Sequence, residues 1–232
     1  MNLAPYIDHT LLKNDATEAA IRGLCDEAKL HRFKSVCIQP HYVTFASQEL
    51  KDSDVLVCTV IGFPLGQNAT KIKIEETRLA IEEGADEIDM VINLSWVKER
   101  QDQKLVDEIR EIKNVCGNHC LKVILETSML SPDDIVYACQ KSQEAGADFV
   151  KTSTGFAAGG GGATIEAVKL MKQTVGNTME VKASGGIRDL EKMKAMIEAG
   201  ATRIGTSSGV AIVSSGANAS AADAVADGGS SY

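Results

Sequence analysis

FVKTSTGFAAGGGGATIEAVKLMKQTVGNTMEVKASGGIR (149–188) is the stretch whose reading decides the fold. Its two ends, FVKTSTGF (149–156) and EVKASGGIR (180–188), are β-rich runs that each carry one lysine. The segment between them, ATIEAVKLMKQTV (163–175), has helical spacing. Strand, helix and strand at this spacing make one βαβ unit with parallel strands. Side chains alternate faces along a strand, so Phe149, Lys151 and Ser153 share one face, and so do Glu180, Lys182 and Ser184. If both faces point the same way, Lys151 and Lys182 are neighbours across adjacent strands. Burial without a partner disfavours an ammonium, and a second cation nearby disfavours it further. Together they are expected to bring a lysine from about 10.4 toward neutrality and make its amine a nucleophile. That is the condition a Schiff-base enzyme needs.

The same alternation continues outward. Short β-rich runs occur at 6–12 (YIDHTLL), 35–40 (SVCIQP), 55–64 (VLVCTVIGFP), 87–93 (EIDMVIN), 121–127 (LKVILET), 149–154, 180–186 and 203–209 (RIGTSSG). Helical periodicity fills 17–31, 68–85, 104–117, 132–147 and 190–201, and EEGADEI, EAGADFV and EAGATRI hand a helix to the next strand through the same Gly-Ala pair. Eight alternations with nothing left for a second core predict a single-domain α/β fold, a TIM (β/α)₈ barrel over 1–213. A doubly wound open sheet is the structural alternative, but the first strand-to-helix turn lacks the glycine fingerprint that fold uses. The Ala/Ser/Gly-rich tail at 214–232 is expected to be mobile at least in part.

Composition narrows the partners. With 24 Lys and Arg against 32 Asp and Glu, the net charge of −8 argues against nucleic acid or an anionic membrane, and no run approaches a membrane span. Six cysteines fall mostly within strand or helix patterns, and MNLAPYIDHT lacks a signal-type apolar core, so a cytoplasmic protein with free thiols is expected. His9, His31, His41 and His119 form no paired ligand spacing, and Cys116, His119 and Cys120 lack a second pair, so no metal and no cofactor is expected. Cys37 is expected near the site as a bystander thiol.

In a barrel, reactive residues gather at the C-terminal strand ends. Polar residues there include Asp8, Asp89, Asn93, Lys122, Glu126, Lys151, Lys182, Ser207 and Ser208. A carboxylate buried against a lysine purely as structure accounts for any one of them equally well. Three lysines and several carboxylates on adjacent strands make that account less comfortable. Gly185, Gly186 and Arg188 follow the seventh strand, and 205–209 (GTSSG) end the eighth, where many barrels bind phosphate, although Gly-Gly and Ser-Gly also make ordinary turns. The four glycines at 159–162 specify no ligand.

IDHTLL, VCIQP, GADEIDMVIN, KVILET, ADFVKTSTGF, VKASGGIR, GTSSG and the terminal SSY together resemble the deoxyribose-phosphate aldolases, class I aldolases on a TIM barrel. The resemblance touches every strand, and FVKTSTGF with VKASGGIR is its most specific part. It implies reversible cleavage of 2-deoxy-D-ribose 5-phosphate to acetaldehyde and D-glyceraldehyde 3-phosphate, in deoxyribose phosphate catabolism. By that likeness Lys151 forms the Schiff base, Lys182 lowers its pKa and relays protons, and Asp89 exchanges protons with the substrate. Asp8, Thr10 and Lys122 orient the substrate, and Gly155, Gly185, Gly186, Ser207 and Ser208 hold its phosphate. Phe156 departs from longer members that carry a lysine there, which shifts phosphate binding toward backbone amides. Tyr232 matches a C-terminal tyrosine that aids proton transfer. Partners are then phosphosugars and aldehydes, with a homodimer as the assembly left open. A phosphosugar isomerase or synthase barrel and a non-catalytic phosphosugar sensor share the phosphate loops but need no pair of strand lysines.

Overall fold

The computed structural model describes residues 2–216. Strands β1 (Ile7–Leu11), β2 (Ser35–Ile38), β3 (Leu56–Ile61), β4 (Glu87–Val91), β5 (Cys120–Ile124), β6 (Phe149–Lys151), β7 (Glu180–Ser184) and β8 (Arg203–Thr206) each pair in parallel with the next, and β8 closes on β1. Around them run α1 (Glu18–His31), α2 (Val43–Leu50), α3 (Thr70–Glu82), α4 (Leu94–Lys98), α5 (Asp102–Cys116), α6 (Pro132–Glu144), α7 (Ile165–Val175), α8 (Leu190–Glu198) and a last helix, α9, over 209–216. The closed barrel replaces the open-sheet alternative.

Most of the apolar core lies outside the barrel. Val36, Ile38, Val57, Ile88, Met90, Leu121, Val123, Val150, Val181 and Ile204 alternate with inward residues and pack against buried helix positions such as Ile21, Ile109, Val168 and Met193. Inside, where branched aliphatics usually stack in layers, only a small apolar patch of Leu12, Cys37, Cys58 and Val60 forms. Charged side chains occupy much of the rest.

The repeated Gly-Ala handover has one geometry. Gly84, Gly146 and Gly200 adopt φ of +107°, +85° and +111°. The alanine after each returns a hydrogen bond five residues back, Ala85 to Ala80, Ala147 to Ser142 and Ala201 to Met196, at 2.9 to 3.1 Å. A left-handed residue is what lets the chain leave the helix and enter the strand at once, and glycine adopts it without a Cβ penalty. At the other helix ends, Thr17, Thr164 and Asp189 accept from the first-turn amides, and Ser131 with Asp134 forms a capping box.

Three details depart from the sequence reading. β6 ends at Lys151, although Thr152 still donates its amide to the Lys182 carbonyl and its hydroxyl to the Ser184 carbonyl, both at 3.0 Å. The helices α2 and α4 were not read, being short, although Val43, Ala46 and Leu50 bury one face of α2. Residues 214–216, placed at the start of the tail, continue α9. The remainder of the tail, with Tyr232, lies outside the described residues.

Candidate active site

Lys151 and Lys182 are direct register partners on β6 and β7, and Asp89 and Lys122 are partners on β4 and β5. Alternation then turns all four side chains into the barrel. Asp89 Oδ2 accepts from Lys151 Nζ and from Lys182 Nζ, both at 2.7 Å, while Oδ1 accepts from Lys122 Nζ at 2.9 Å and the Cys58 thiol at 3.2 Å. Below this carboxylate the network continues. Lys182 faces Asp8 Oδ2 at 2.5 Å as an ion pair without hydrogen-bond geometry, and Lys122 reaches Glu87 Oε2 at 2.6 Å. Arg203 Nη1 lies 2.8 Å from both Asp8 Oδ1 and Glu87 Oε2.

Burial and charge compete at each group. Burial would raise Asp89, but Lys122, Lys151 and Lys182 outweigh it and hold the carboxyl well below the usual range. Asp8 is likewise opposed by burial and held low by Lys182, Arg203 and Lys122. Glu87 is lowered, chiefly by Lys122 against its burial. Burial would lower Lys182, yet Asp8 and Asp89 keep it well above the ordinary lysine value, and Asp89 with Cys58 and Glu87 does the same for Lys122. A carboxylate oxygen stands between the two lysines, and Lys182 is held as a cation. The Cys37 thiol is brought down to about 7, chiefly by a hydrogen bond with Cys58 against its burial, and Cys58 is pushed up.

Above the cluster opens a cavity of about 240 Å³ lined by Thr10, Lys151, Thr154, Gly155, Gly185, Gly186 and Ser207. Lys151 thus forms its floor, and the loops after β6, β7 and β8 form its wall. Lys13 and Arg188 also line it and supply positive charge. Thr10 donates its hydroxyl to the Asp8 carbonyl at 2.8 Å. Asp8, Asp89, Lys122 and Lys182 are fully buried beneath. Ser208 sits at the start of α9, its amide given to Thr206 Oγ1 at 2.9 Å. Phe156 is half-exposed at the rim and meets Phe63 edge to face, with ring centroids 5.3 Å apart.

Of the glycines at 159–162, Gly162 has a definite task. A Cβ on Gly162 would come within 2.3 Å of the Gly185 carbonyl oxygen, so only glycine lets this loop brace the turn after β7. Cys37, Cys58 and Asp89 bring ligand-type atoms within 4.8 Å of one another, as do Asp8, Cys58 and Glu87. The Asp89 oxygens are already engaged by three ammonium groups, which oppose a metal cation there. Sequence reasoning missed Glu87, Arg203, Cys58 and Lys13. Glu87 and Arg203 are the first residues of β4 and β8, where a charge reads as a strand boundary.

The profile of the DeoC/LacD family aldolases matches residues 3–215. The chain belongs to this aldolase family. It is 56% identical over 213 residues to the deoxyribose-phosphate aldolase of Lactococcus lactis subsp. lactis, and 57% identical over 213 residues to that of Staphylococcus carnosus, spanning 92% of this chain and 96% of each relative. Among solved structures, the tetrameric deoxyribose phosphate aldolase of Aeropyrum pernix superposes with a TM-score of 0.85 at 36% identity, over 92% of this chain and 90% of that one. As a DeoC/LacD aldolase the chain places its lysine cluster and its glycine loops at one barrel mouth. No helix among the described residues is long and apolar enough to cross a membrane.

Proposed function

We propose that this aldolase cleaves 2-deoxy-D-ribose 5-phosphate through a Schiff base on Lys151. One observation carries the reading: Lys151 Nζ, 2.7 Å from Asp89 Oδ2, is the cluster's amine at the floor of the cavity. The free amine attacks C1 of the ring-opened sugar, and loss of water leaves an iminium. Acetaldehyde keeps C1 and C2, so the bond that breaks is C2–C3. Its electrons pass through C2 to the iminium nitrogen, giving an enamine, while the C3 hydroxyl gives up its proton and becomes the aldehyde of glyceraldehyde 3-phosphate. The enamine takes a proton at C2, and water hydrolyses the resulting iminium to acetaldehyde and the free lysine.

Asp89 and Lys182 carry the protons, with water as the exchange partner. Asp89 keeps both nitrogens in place. The buried cluster holds three carboxylates, Asp8, Glu87 and Asp89, against Lys122, Lys151, Lys182 and Arg203, a surplus of one positive charge. Thr10 orients the sugar from the cavity wall, Asp8 and Lys122 act on it from beneath through Lys182 and Asp89, and Gly155, Gly185, Gly186, Ser207 and Ser208 hold its phosphate, helped by Lys13 and Arg188. Tyr232 aids protonation of the enamine, and its removal is expected to slow exchange of acetaldehyde methyl protons with solvent; unchanged exchange would end that role. The reaction runs in the cytoplasm, a reading supported by six cysteines without a disulfide.

Borohydride reduction in the presence of acetaldehyde tests the central step. Mass spectrometry is expected to find a two-carbon adduct on Lys151 and none in Lys151→Arg. An adduct on Lys182 alone, or on no lysine, would reject it.

A further inference from the structure

Directly after β5, Glu126 takes a left-handed conformation, φ +55° and ψ +61°, that costs any residue with a Cβ. It is also buried, at 4% exposure, and its Oε1 has no hydrogen-bond partner. A strained backbone and a half-satisfied carboxylate are both unfavourable, so the local fold alone gives no reason to keep them. The other oxygen supplies one. Glu126 Oε2 accepts from the Thr154 amide at 3.2 Å and, in a short hydrogen bond, from the Thr154 hydroxyl. The same hydroxyl oxygen accepts from the Phe156 amide at 3.0 Å. A chain of donors therefore runs from Phe156 through Thr154 to Glu126. It fastens both neighbours of Gly155, which lies between them at φ +85° and lines the cavity.

The attachment is specific to this loop. On either side of Glu126 the backbone of β5 already grips β6, since Leu125 donates to the Lys151 carbonyl at 2.9 Å and Thr127 to the Thr152 carbonyl at 2.8 Å. Those bonds end at Thr152. Among the described residues, the Glu126 side chain carries the hydrogen-bonded restraint on to 154–156, where the strand has ended and Gly155 has no side chain to hold it. The left-handed turn at Glu126 is what aims that side chain across the barrel mouth.

We propose that Glu126 is a positioning residue for phosphate recognition: through Thr154 it fixes residues 154–156 so that the Gly155 backbone faces the substrate's phosphomonoester. Glu126 does not touch the sugar. It acts by removing freedom from a loop that would otherwise have to be ordered when the ligand binds. The proposal rests on the phosphate assignment made above, and it is independent of which lysine forms the Schiff base.

The test compares 2-deoxyribose 5-phosphate with unphosphorylated 2-deoxyribose in Glu126→Ala, Glu126→Gln, Thr154→Val and Thr154→Ser. In Glu126→Ala the loss of kcat/KM on the phosphorylated sugar is expected to exceed the loss on the unphosphorylated one by about tenfold, mostly in KM. Binding of inorganic phosphate, read by calorimetry, should weaken in parallel. Glu126→Gln keeps an acceptor oxygen for Thr154 and should recover most of the difference. Thr154→Val should reproduce the loss and Thr154→Ser reverse it, which keeps the proposal testable if Glu126→Ala does not fold. Equal losses on the two sugars, or unaltered phosphate binding, would overturn it. Borohydride trapping of acetaldehyde on Lys151 is run on every protein. Failure of trapping in the wild type would strike the Schiff-base reading and leave the phosphate comparison readable by calorimetry.

Discussion

Lys151 and Lys182 converge on a single atom: each Nζ lies 2.7 Å from Oδ2 of Asp89. They are register partners on adjacent parallel strands, so the backbone alone would bring two ammonium groups side by side. The shared carboxylate makes the pair tolerable and divides its members. Lys182 is enclosed, with Asp8 on its other side, whereas Lys151 faces the cavity.

Removal of the Lys182 charge is expected to impair chemistry more than binding. In Lys182→Met, kcat should fall about 10²-fold or more, as expected when a proton-transfer group is lost, with KM for the phosphosugar changed far less. The rate of borohydride trapping on Lys151 should fall with kcat. Trapping at the wild-type rate would return Lys182 to a structural part.

Asp89→Asn separates two effects. Three buried ammonium groups lose their common anion, which should destabilise the fold by roughly 3–5 kcal/mol, the usual cost of breaking a buried ion pair from one side. Turnover should drop strongly while binding of the sugar phosphate is nearly kept, because Asp89 lies beneath the cavity. Denaturant unfolding and steady-state kinetics measure the two separately, and a rise confined to KM would contradict the assignment.

The buried charge network should make stability depend on pH at both extremes. Asp8, Glu87 and Asp89 are held below the usual carboxylate range, so their contribution is complete above unfolded values of about 3.9 to 4.3 and is lost as pH falls through the folded ones. Lys122 and Lys182 are held above theirs, so their contribution is complete below about 10.4 and is lost as pH rises through the folded values. The contribution of these five groups should therefore be flat between about pH 5 and 10. In Asp89→Asn the loss on the basic side, read by thermal unfolding, should be smaller and end at lower pH, because both lysines lose an anion that raises their folded values. An unmoved basic limb would count against the charge network.

Arg203 and Glu87 are bonded to each other and also to Asp8 and Lys122. Arg203→Met and Glu87→Gln should each destabilise by about 3–5 kcal/mol, and the double variant by clearly less than the sum, since each single change strands the other's charge. Additive losses in urea unfolding would show that the two groups act independently.

Much of this was legible in the chain. The alternation of runs such as EIDMVIN and LKVILET with helical segments, joined by Gly-Ala handovers, was enough for a closed barrel, because a parallel strand and its crossover helix each have a local periodicity. Lys151, Lys182, Lys122, Asp89 and Asp8 were identifiable for a related reason: a charge within a β-rich run must face either solvent or a special interior. Arg203 and Glu87 follow the same rule but stand at strand starts, where a polar residue reads as a boundary. Glu126 was visible only as one of several polar strand ends, since neither its left-handed backbone nor its bond to Thr154 has a local signature.

The sequence by itself determined which residues enter the barrel, since strand alternation is a property of neighbours along the chain. Only the tertiary structure decided what they meet there. Closure sets the register of β4, β5, β6 and β7, and with it the placement of one carboxylate between Lys151 and Lys182. Whether a buried lysine is kept charged or set free depends on distances of a few ångströms to groups 62 and 93 positions away along the chain, and Coulomb energy in a dry interior changes steeply over that range.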